Sequence, residues 1–248
     1  MSKILLECCV GSVESAVNAE RGGGARVELC SALEIGGVTP AHGSIKLARE
    51  RIDIPLFVLI RPRGGDFHYT PDELEVMRED ILAARELGAD GVVLGALLDD
   101  DSIDAERTAG LIEAADGASI TFHRAFDSTP DPIAALEVLC ELGVDRILTS
   151  GGAPRAEDGL ETLSRLQQTA AGRIGILPGG GINHDNCRRI IETTGVGEVH
   201  VGSALSSPEA GQTQREGETG LGPGGRNVPI PPGETDPEAV RRLLEILA

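Results

Sequence analysis

Residues 55–67 read PLFVLIRPRGGDF, and the fold prediction starts from this stretch. Its first six residues form an unbroken apolar run, which is typical of a strand buried on both faces of a parallel sheet. Arg61 and Arg63 follow where the strand ends, and Gly64-Gly65 predicts a turn. Because an unpaired arginine is costly to bury, this pair indicates either an anionic ligand or salt bridges to acids on neighbouring strands.

The same alternation of apolar strand and helix-like segment returns along the whole chain. An open doubly wound sheet is one fold with this pattern. The G-x-G-x-x-G turn often found after the first strand of such a sheet is missing after the first predicted strand of this chain. Eight strands alternating with helices instead favour the α/β class and a (β/α)8 TIM barrel. The predicted strands are 4–10, 26–30, 55–60, 91–97, 119–126, 146–150, 173–177 and 198–201.

One segment departs from this alternation. Residues 206–235 are rich in glycine and proline, and they precede a helix predicted over 236–247. A loop this long is often an active-site lid, and in a barrel it would lie over the carboxyl ends of the strands. We therefore expect one TIM-barrel domain over residues 1–248, with a long loop after strand 8 and a closing helix.

Composition excludes several classes of partner. The net charge of −18, with 40 acidic against 22 basic residues, disfavours nucleic acid and anionic membranes, which both attract basic surfaces. No apolar run approaches the roughly 20 residues of a membrane span, and the N-terminus lacks the layout of a signal peptide. Five cysteines without a C-x-x-C motif predict free thiols rather than a disulfide framework or a zinc site. These features together predict a cytoplasmic protein.

Charged residues interrupt several predicted strands. Arg124 is expected on the opposite side of strand 5 from its neighbour His123, and His200 is contributed by strand 8. Charges at the carboxyl ends of barrel strands are typical of an active site, although a buried ion network in the barrel interior is the alternative. The candidate catalytic residues are Glu7, Glu28, Arg61, His123 and Asp127.

The ends of strands 7 and 8 predict an anion site. Residues 177–182 read LPGGGI and residues 201–204 read VGSA. In this fold a phosphate group often binds here, held by backbone N–H groups that glycine allows to approach closely. The alternative is that the glycines only form a tight turn. The candidate anion-binding residues are Arg63, Gly180, Gly181, Gly202 and Ser203.

Several long motifs occur in a fixed order along the chain. They are Glu7-x-Cys9, Ser12–Ser15, Glu28-Leu-Cys30, Arg61–Phe67, Phe122–Asp127, Leu148–Gly151 and Pro178–Gly181. Together these motifs resemble the CutC family of copper homeostasis proteins, from Ile4 to about Ala204. The resemblance implies a TIM barrel, a cytoplasmic location, a homo-oligomer, and binding of Cu(I) through Cys9 and Cys30.

Two functions stay open at this point. Cu(I) is a soft ion that prefers thiolates, and matched strand parity would point both thiols inward on neighbouring strands about 4.8 Å apart. The charged cluster, however, exceeds what a two-thiol copper site needs. The alternative is therefore an enzyme, a lyase, isomerase or hydrolase, acting on a small anionic or phosphorylated metabolite. His123 or Glu28 would then be its general acid or base, and the arginines would bind the anion.

Overall fold

The structure is a computed structural model that describes residues 4–206 and 233–248. Eight parallel strands in these residues form a nearly closed barrel, which confirms the predicted (β/α)8 fold. Most strands are four residues long and buried, as expected of strands covered on both faces. They are β1 Leu5–Val10, β2 Arg26–Leu29, β3 Leu56–Leu59, β4 Gly91–Leu94, β5 Ser119–Phe122, β6 Arg146–Thr149, β7 Gly175–Pro178 and β8 Glu198–Val201.

A helix follows each strand. Helix α3 begins with a complete capping box, in which the Thr70 side chain accepts a hydrogen bond from the Glu73 backbone and Glu73 accepts one from the backbone of Thr70. The helices are α1 Val13–Gly22, α2 His42–Arg51, α3 Pro71–Glu86, α4 Ala105–Ala115, α5 Pro132–Glu141, α6 Leu160–Ala170, α7 Cys187–Thr194 and α8 Pro237–Leu247. Short 3₁₀ helices lie at Leu33–Ile35, Arg124–Ser128, Ala156–Asp158 and Ser203–Leu205.

The strands are hydrogen-bonded in the order β7-β6-β5-β4-β3-β2-β1-β8. Between β7 and β8, two glycines allow close approach. A Cβ atom added to Gly175 would lie 2.7 Å from Oε1 of Glu198, and one added to Gly179 would lie 3.3 Å from Cδ2 of His200. Because Gly175 of β7 and Gly179 just after it have no side chains, space remains there for Glu198 and His200 of β8.

Apolar packing lies mainly between the strands and the helices around them. Leu6, Cys8 and Val10 of β1 point outward and are buried in this layer, as are Met77 and Ile81 of α3. Inside the barrel, a smaller apolar cluster consists of Cys30, Phe57, Leu59 and Val93.

Charged residues form a network beside that inner cluster. The Arg26 guanidinium pairs with Glu7 and, at 2.7 Å, with Oε2 of Glu198. Arg146 lies 3.7 Å from Oε1 of Glu198. The ring of Phe57 lies between the two guanidiniums, 5.1 Å from Cζ of Arg26 and 5.0 Å from Cζ of Arg146, so that both cations also contact an aromatic face.

Strand β5 is shorter than the sequence predicts. It ends at Phe122, and His123 is the N-cap of the 3₁₀ helix Arg124–Ser128. Nδ1 of His123 accepts a hydrogen bond from the Ala125 backbone at 3.2 Å, which caps this turn. The alternation expected along strand 5 therefore stops at His123, and the positions of Arg124 and Asp127 follow from the helical turn.

The glycine- and proline-rich loop expected over residues 206–235 lies outside the described residues except at its ends. At those ends, Ser206 and Thr235 form an isolated antiparallel bridge. None of the helices within residues 4–206 and 233–248 has the length and apolar character needed to cross a membrane.

We predict that Arg26→Met destabilises the protein by about 3–5 kcal/mol, because it leaves two carboxylates without their buried cation. The measurement is urea unfolding at neutral pH. The matched control is Arg173→Met, which removes an exposed pair with Glu137 and should cost less than about 1 kcal/mol. An equally small effect of both changes would show that the interior network does not stabilise the barrel.

Candidate functional site

Two thiols lie side by side at the carboxyl ends of β1 and β2. Cys9 belongs to β1, and Cys30 directly follows β2. Their Sγ atoms are 3.9 Å apart, close enough for a hydrogen bond and too far for the disulfide distance of about 2.05 Å. Cys30 is buried and Cys9 is partly exposed. The parity expected from the sequence therefore does bring the two sulfurs together.

His200 of β8 connects this thiol pair to the interior charges. Its Nδ1 lies 2.7 Å from Oε1 of Glu7, and its Nε2 lies 3.6 Å from Oε2 of Glu28. The strand register explains the first contact, since Glu7 and His200 are paired residues of β1 and β8. The imidazole is thus held between two carboxyl groups.

The pKa values of these groups shift in different directions. Burial opposes ionisation of Glu7, but His200 and Arg26 outweigh it and lower the pKa of Glu7 to about 2. Burial also opposes charging of His200, yet hydrogen bonds with Cys9 and Glu7 raise its pKa well above the usual value. Burial and the charge on Cys9 raise the pKa of Glu28 well above its usual range. Glu7 is therefore ionised at neutral pH, and the shifts favour the charged form of His200 and the protonated form of Glu28.

The pKa values of the two thiols also shift in opposite directions. The hydrogen bond from Cys30, helped by those from His200 and Glu28, holds the pKa of Cys9 well below its usual range in spite of burial. The same hydrogen bond, together with burial, raises the pKa of Cys30 well above its usual range. The surroundings of Cys9 therefore favour its thiolate, which is the form that acts as metal ligand or nucleophile.

A cavity of about 670 Å³ opens directly over Cys9. Its volume lies within the range of sites for small molecules, about 300–1,000 Å³. Hydroxyl groups and glycines make up much of its wall. Besides Cys9 and His200, the lining residues that carry the argument below are Arg124, Gly180, Gly181, Gly202, Ser203 and Glu234.

Arg124 contributes a fixed cation to this cavity. Its Nε donates to Oδ2 of Asp127 at 2.8 Å, and its Nη2 donates to Oγ of Ser150 at 2.9 Å. Asp127 in turn accepts from Thr149 Oγ1 at 2.5 Å and from the Gly152 backbone at 3.0 Å. Asp127 therefore positions the loops after β5 and β6 and orients Arg124.

The opposite wall carries an acid. Glu234 accepts hydrogen bonds from Ser12 at 2.5 Å and from Ser15. Ser15 also accepts one from the Thr235 backbone at 3.0 Å. These contacts join the start of α1 to the chain just before α8.

None of the five expected catalytic residues belongs to the cavity lining. Arg61 is buried and donates to the carbonyl oxygens of Gly37 at 2.8 Å and Gly65 at 2.7 Å, so its partners are backbone oxygens instead of carboxylates. The Phe67 ring lies between Arg61 and His123, 5.0 Å from Cζ of Arg61 and 4.9 Å from the centroid of the imidazole. Burial and the charge of Arg61 lower the pKa of His123 to about 3.

Arg63 also lies apart from the expected anion site. It pairs with Glu73 at 2.5 Å and with Asp66 at 3.0 Å, and it donates to the His68 carbonyl at 2.8 Å. These partners belong to its own loop and to the first turn of α3. Gly180, Gly181, Gly202 and Ser203 do line one cavity together, with Arg124 beside them.

Sequence reasoning placed Arg124 on the wrong side and assigned no role to Ser12, Ser15 or Glu234. A signal for Arg124 was present, because His123 can cap a turn and so end the alternation of the strand. Glu234 carries no such signal, since it reaches the site from the far end of a long segment.

The donors that could hold a metal fall into two overlapping groups within the described residues. Cys9, Glu28 and Cys30 form one, and Glu7, Glu28 and His200 form the other, with ligand atoms within 4.8 Å of one another. The first group contains the soft ligands that Cu(I) prefers. In the second group, Glu7 is already committed to Arg26 and His200.

The architecture and the polar strand ends define a (β/α)8-barrel protein whose site lies at the carboxyl face. Thiamine phosphate pyrophosphorylase from Pyrococcus furiosus has the same fold, at 20% identity and a TM-score of 0.60, covering 99% of this chain and 96% of that one. The chain belongs to the CutC family, whose family model matches residues 4–205.

Relatives in that family are similar over most of their length. The human copper homeostasis protein cutC homolog is 50% identical over 218 residues, which cover 88% of this chain and 80% of the relative. A CutC family protein of Bacteroides fragilis is 47% identical, with 90% and 88% covered. A solved structure from Streptococcus agalactiae, described as a copper homeostasis protein CutC, is 38% identical with a TM-score of 0.76, covering 80% and 98%.

We predict that His123→Asn reduces the loss of stability between pH 7 and pH 5. The folded pKa of His123 lies below its unfolded value of 6.5, so the unfolded state takes up the proton first and stability falls as the pH drops below about 6.5. At pH 5 this costs the wild type about 2 kcal/mol. Asparagine can keep the cap on Ala125 without titrating.

The measurement is urea unfolding of both proteins at the two pH values. His42→Asn, at an exposed position, is the control and should keep the pH dependence of the wild type. A His123→Asn protein that loses as much stability as the wild type would contradict the prediction.

Proposed function

We propose that this protein acts in copper homeostasis by binding Cu(I) through Cys9 and Cys30. The observation that carries the proposal is the pair of sulfurs 3.9 Å apart, one of which opens to a cavity. Family membership supports it, since relatives are named copper homeostasis proteins. The cysteines of the described residues are free, which supports a reducing location such as the cytoplasm.

The surrounding groups suit a soft ion. The lowered pKa of Cys9 favours its thiolate, which is the form that binds Cu(I). Cys30 must release its proton when it becomes a ligand. Glu28 and His200 carry hard donors that Cu(I) does not favour, so their part is to hydrogen-bond the sulfurs and orient them, as outer groups around metal sites commonly do.

We predict that Cys9→Ser and Cys30→Ser, singly and together, abolish stoichiometric Cu(I) binding. Serine nearly preserves the size of the side chain and removes the soft ligand. The measurement is competition with a chromogenic Cu(I) chelator under anaerobic, reducing conditions, where the chelator should take all the copper from the double variant.

Cys140→Ser is the matched control, because this free cysteine lies on α5, outside the cavity lining. It should retain the affinity of the wild type. Undiminished binding by the folded double variant would exclude Cys9 and Cys30 as the copper ligands. Circular dichroism and the melting temperature establish that each variant is folded.

The size of the cavity favours a second function, that of a barrel enzyme. A volume of about 670 Å³ is far more than a single ion needs, and it suits a small molecule. His200, oriented by Glu7 at 2.7 Å, would serve as proton donor or acceptor next to Cys9. A lyase, isomerase or hydrolase acting on an anionic metabolite fits this arrangement.

We test the second function by incubating the metal-free protein with a pool of cellular metabolites and measuring which compounds are consumed. The wild type should deplete specific anionic compounds, and His200→Asn should not. Arg173→Met, on the outer surface, should act like the wild type. A metabolite pool left unchanged by the wild type would argue against the enzyme.

A further inference from the structure

One wall of the cavity combines a fixed cation with glycine backbone. The Arg124 guanidinium uses Nε for Asp127 and Nη2 for Ser150. Within residues 4–206 and 233–248, no acceptor bonds to its Nη1. The side chain is 42% exposed, and Arg124 belongs to the cavity lining. A guanidinium held in this way presents a preoriented donor to a ligand.

Gly180 and Gly181 are shaped to lie against this guanidinium. Both have positive φ, +99° and +70°, a conformation that side chains disfavour. A Cβ atom on Gly180 would lie 3.3 Å from Cζ and Nη1 of Arg124. The Gly180 carbonyl accepts a hydrogen bond from the Ala156 backbone at 2.9 Å, which fixes the turn. Glycine thus allows the backbone to approach both the arginine and any ligand beside it.

Several backbone N–H groups of this wall have no acceptor in the described part of the chain. They belong to Gly180, Gly181, Gly202 and Ser203, which all line the cavity. Gly180 and Gly202 are partly buried, and N–H groups at such positions are nearly always paired in folded proteins, whereas Gly181 and Ser203 are exposed. A run of such donors next to an arginine is complementary to an anionic acceptor.

Among the described residues, two acids line the cavity, Glu34 and Glu234. Glu34 is exposed on the 3₁₀ helix Leu33–Ile35, and Glu234 is bonded to Ser12 and Ser15. Asp127 is the partner of Arg124, but it already accepts from Thr149, Ser150 and Gly152. The remaining charge and donors of the wall thus face the cavity space.

We propose that the wall formed by Arg124, Gly180, Gly181, Gly202 and Ser203 binds the phosphate or carboxylate group of a small molecule, whose remainder lies over Cys9 and His200. The inference deepens the second proposed function, because it assigns the chemical class of the ligand. It corrects the arginine expected from the sequence, since Arg124 takes the place of Arg63. The ends of β7 and β8 are where barrels of this kind often bind such groups.

The test is a calorimetric titration of the metal-free, full-length protein with inorganic phosphate. We expect saturable binding at one site, weakened at least about tenfold in Arg124→Met, which corresponds to the loss of one charge-assisted hydrogen bond. Arg155→Met is the matched control. Arg155 approaches Gly181 but pairs with Glu157 at 2.6 Å and is outside the cavity lining, so its removal should leave the affinity unchanged.

A second measurement does not depend on a variant. In ¹H–¹⁵N spectra of the wild type, phosphate should shift the amide signals of Gly180, Gly181 and Ser203 more than those of other residues. Acetate added in place of phosphate distinguishes a carboxylate site from a phosphate site. Absence of saturable binding of both anions, or equal binding by a folded Arg124→Met protein, would overturn the proposal.

The copper and anion sites can be separated. The Cys9→Ser, Cys30→Ser double variant should keep its affinity for phosphate, since neither sulfur belongs to the anion wall. If the wild-type protein binds phosphate but no Cu(I), the proposed copper function is wrong and the anion site stands. A lack of metabolite turnover with intact phosphate binding would refute the enzyme and leave the anion site in place.

Discussion

The chain of ion pairs inside the barrel is the constraint on which the rest of the site depends. Barrel interiors are usually filled with branched apolar side chains, but here Arg26 joins Glu7 of β1 to Glu198 of β8. Each charge is tolerable only because its partner is present, since an unpaired buried ion costs several kcal/mol. Glu7 then fixes the imidazole of His200, and His200 hydrogen-bonds Cys9. The charges in the barrel interior therefore influence the ionisation of the groups at the carboxyl ends of the strands.

The fold could be predicted from the sequence because a buried parallel strand leaves a direct signal. The apolar runs at 55–60 and 91–97 contain the strands that the structure shows at Leu56–Leu59 and Gly91–Leu94. Parity along β1 and β2 likewise placed Cys9 beside Cys30, as their 3.9 Å separation confirms. The second inference uses a period of two, which a regular strand preserves.

The site was harder to predict where regular structure ends. Arg61 satisfies its guanidinium with carbonyl oxygens of Gly37 and Gly65, and a carbonyl acceptor has no signature in the sequence. Residue Arg124 follows a strand end that a histidine cap brings forward by several residues. Glu234 meets Ser12 across more than two hundred residues, a pairing that no local pattern encodes.

The unequal exposure of the two sulfurs gives the site a direction. Cys9 borders the cavity, whereas Cys30 is 2% exposed and packs with Phe57, Leu59 and Val93. Any ion or electrophile that enters through the cavity meets Cys9 first and Cys30 second. If both sulfurs hold one ion, its departure would follow the reverse order, with the bond to Cys30 broken before the bond to Cys9. Exchange with a carrier in solution would then proceed stepwise, through an intermediate in which only Cys9 binds the ion. The rate of exchange would depend on how fast the bond between Cys30 and the ion breaks.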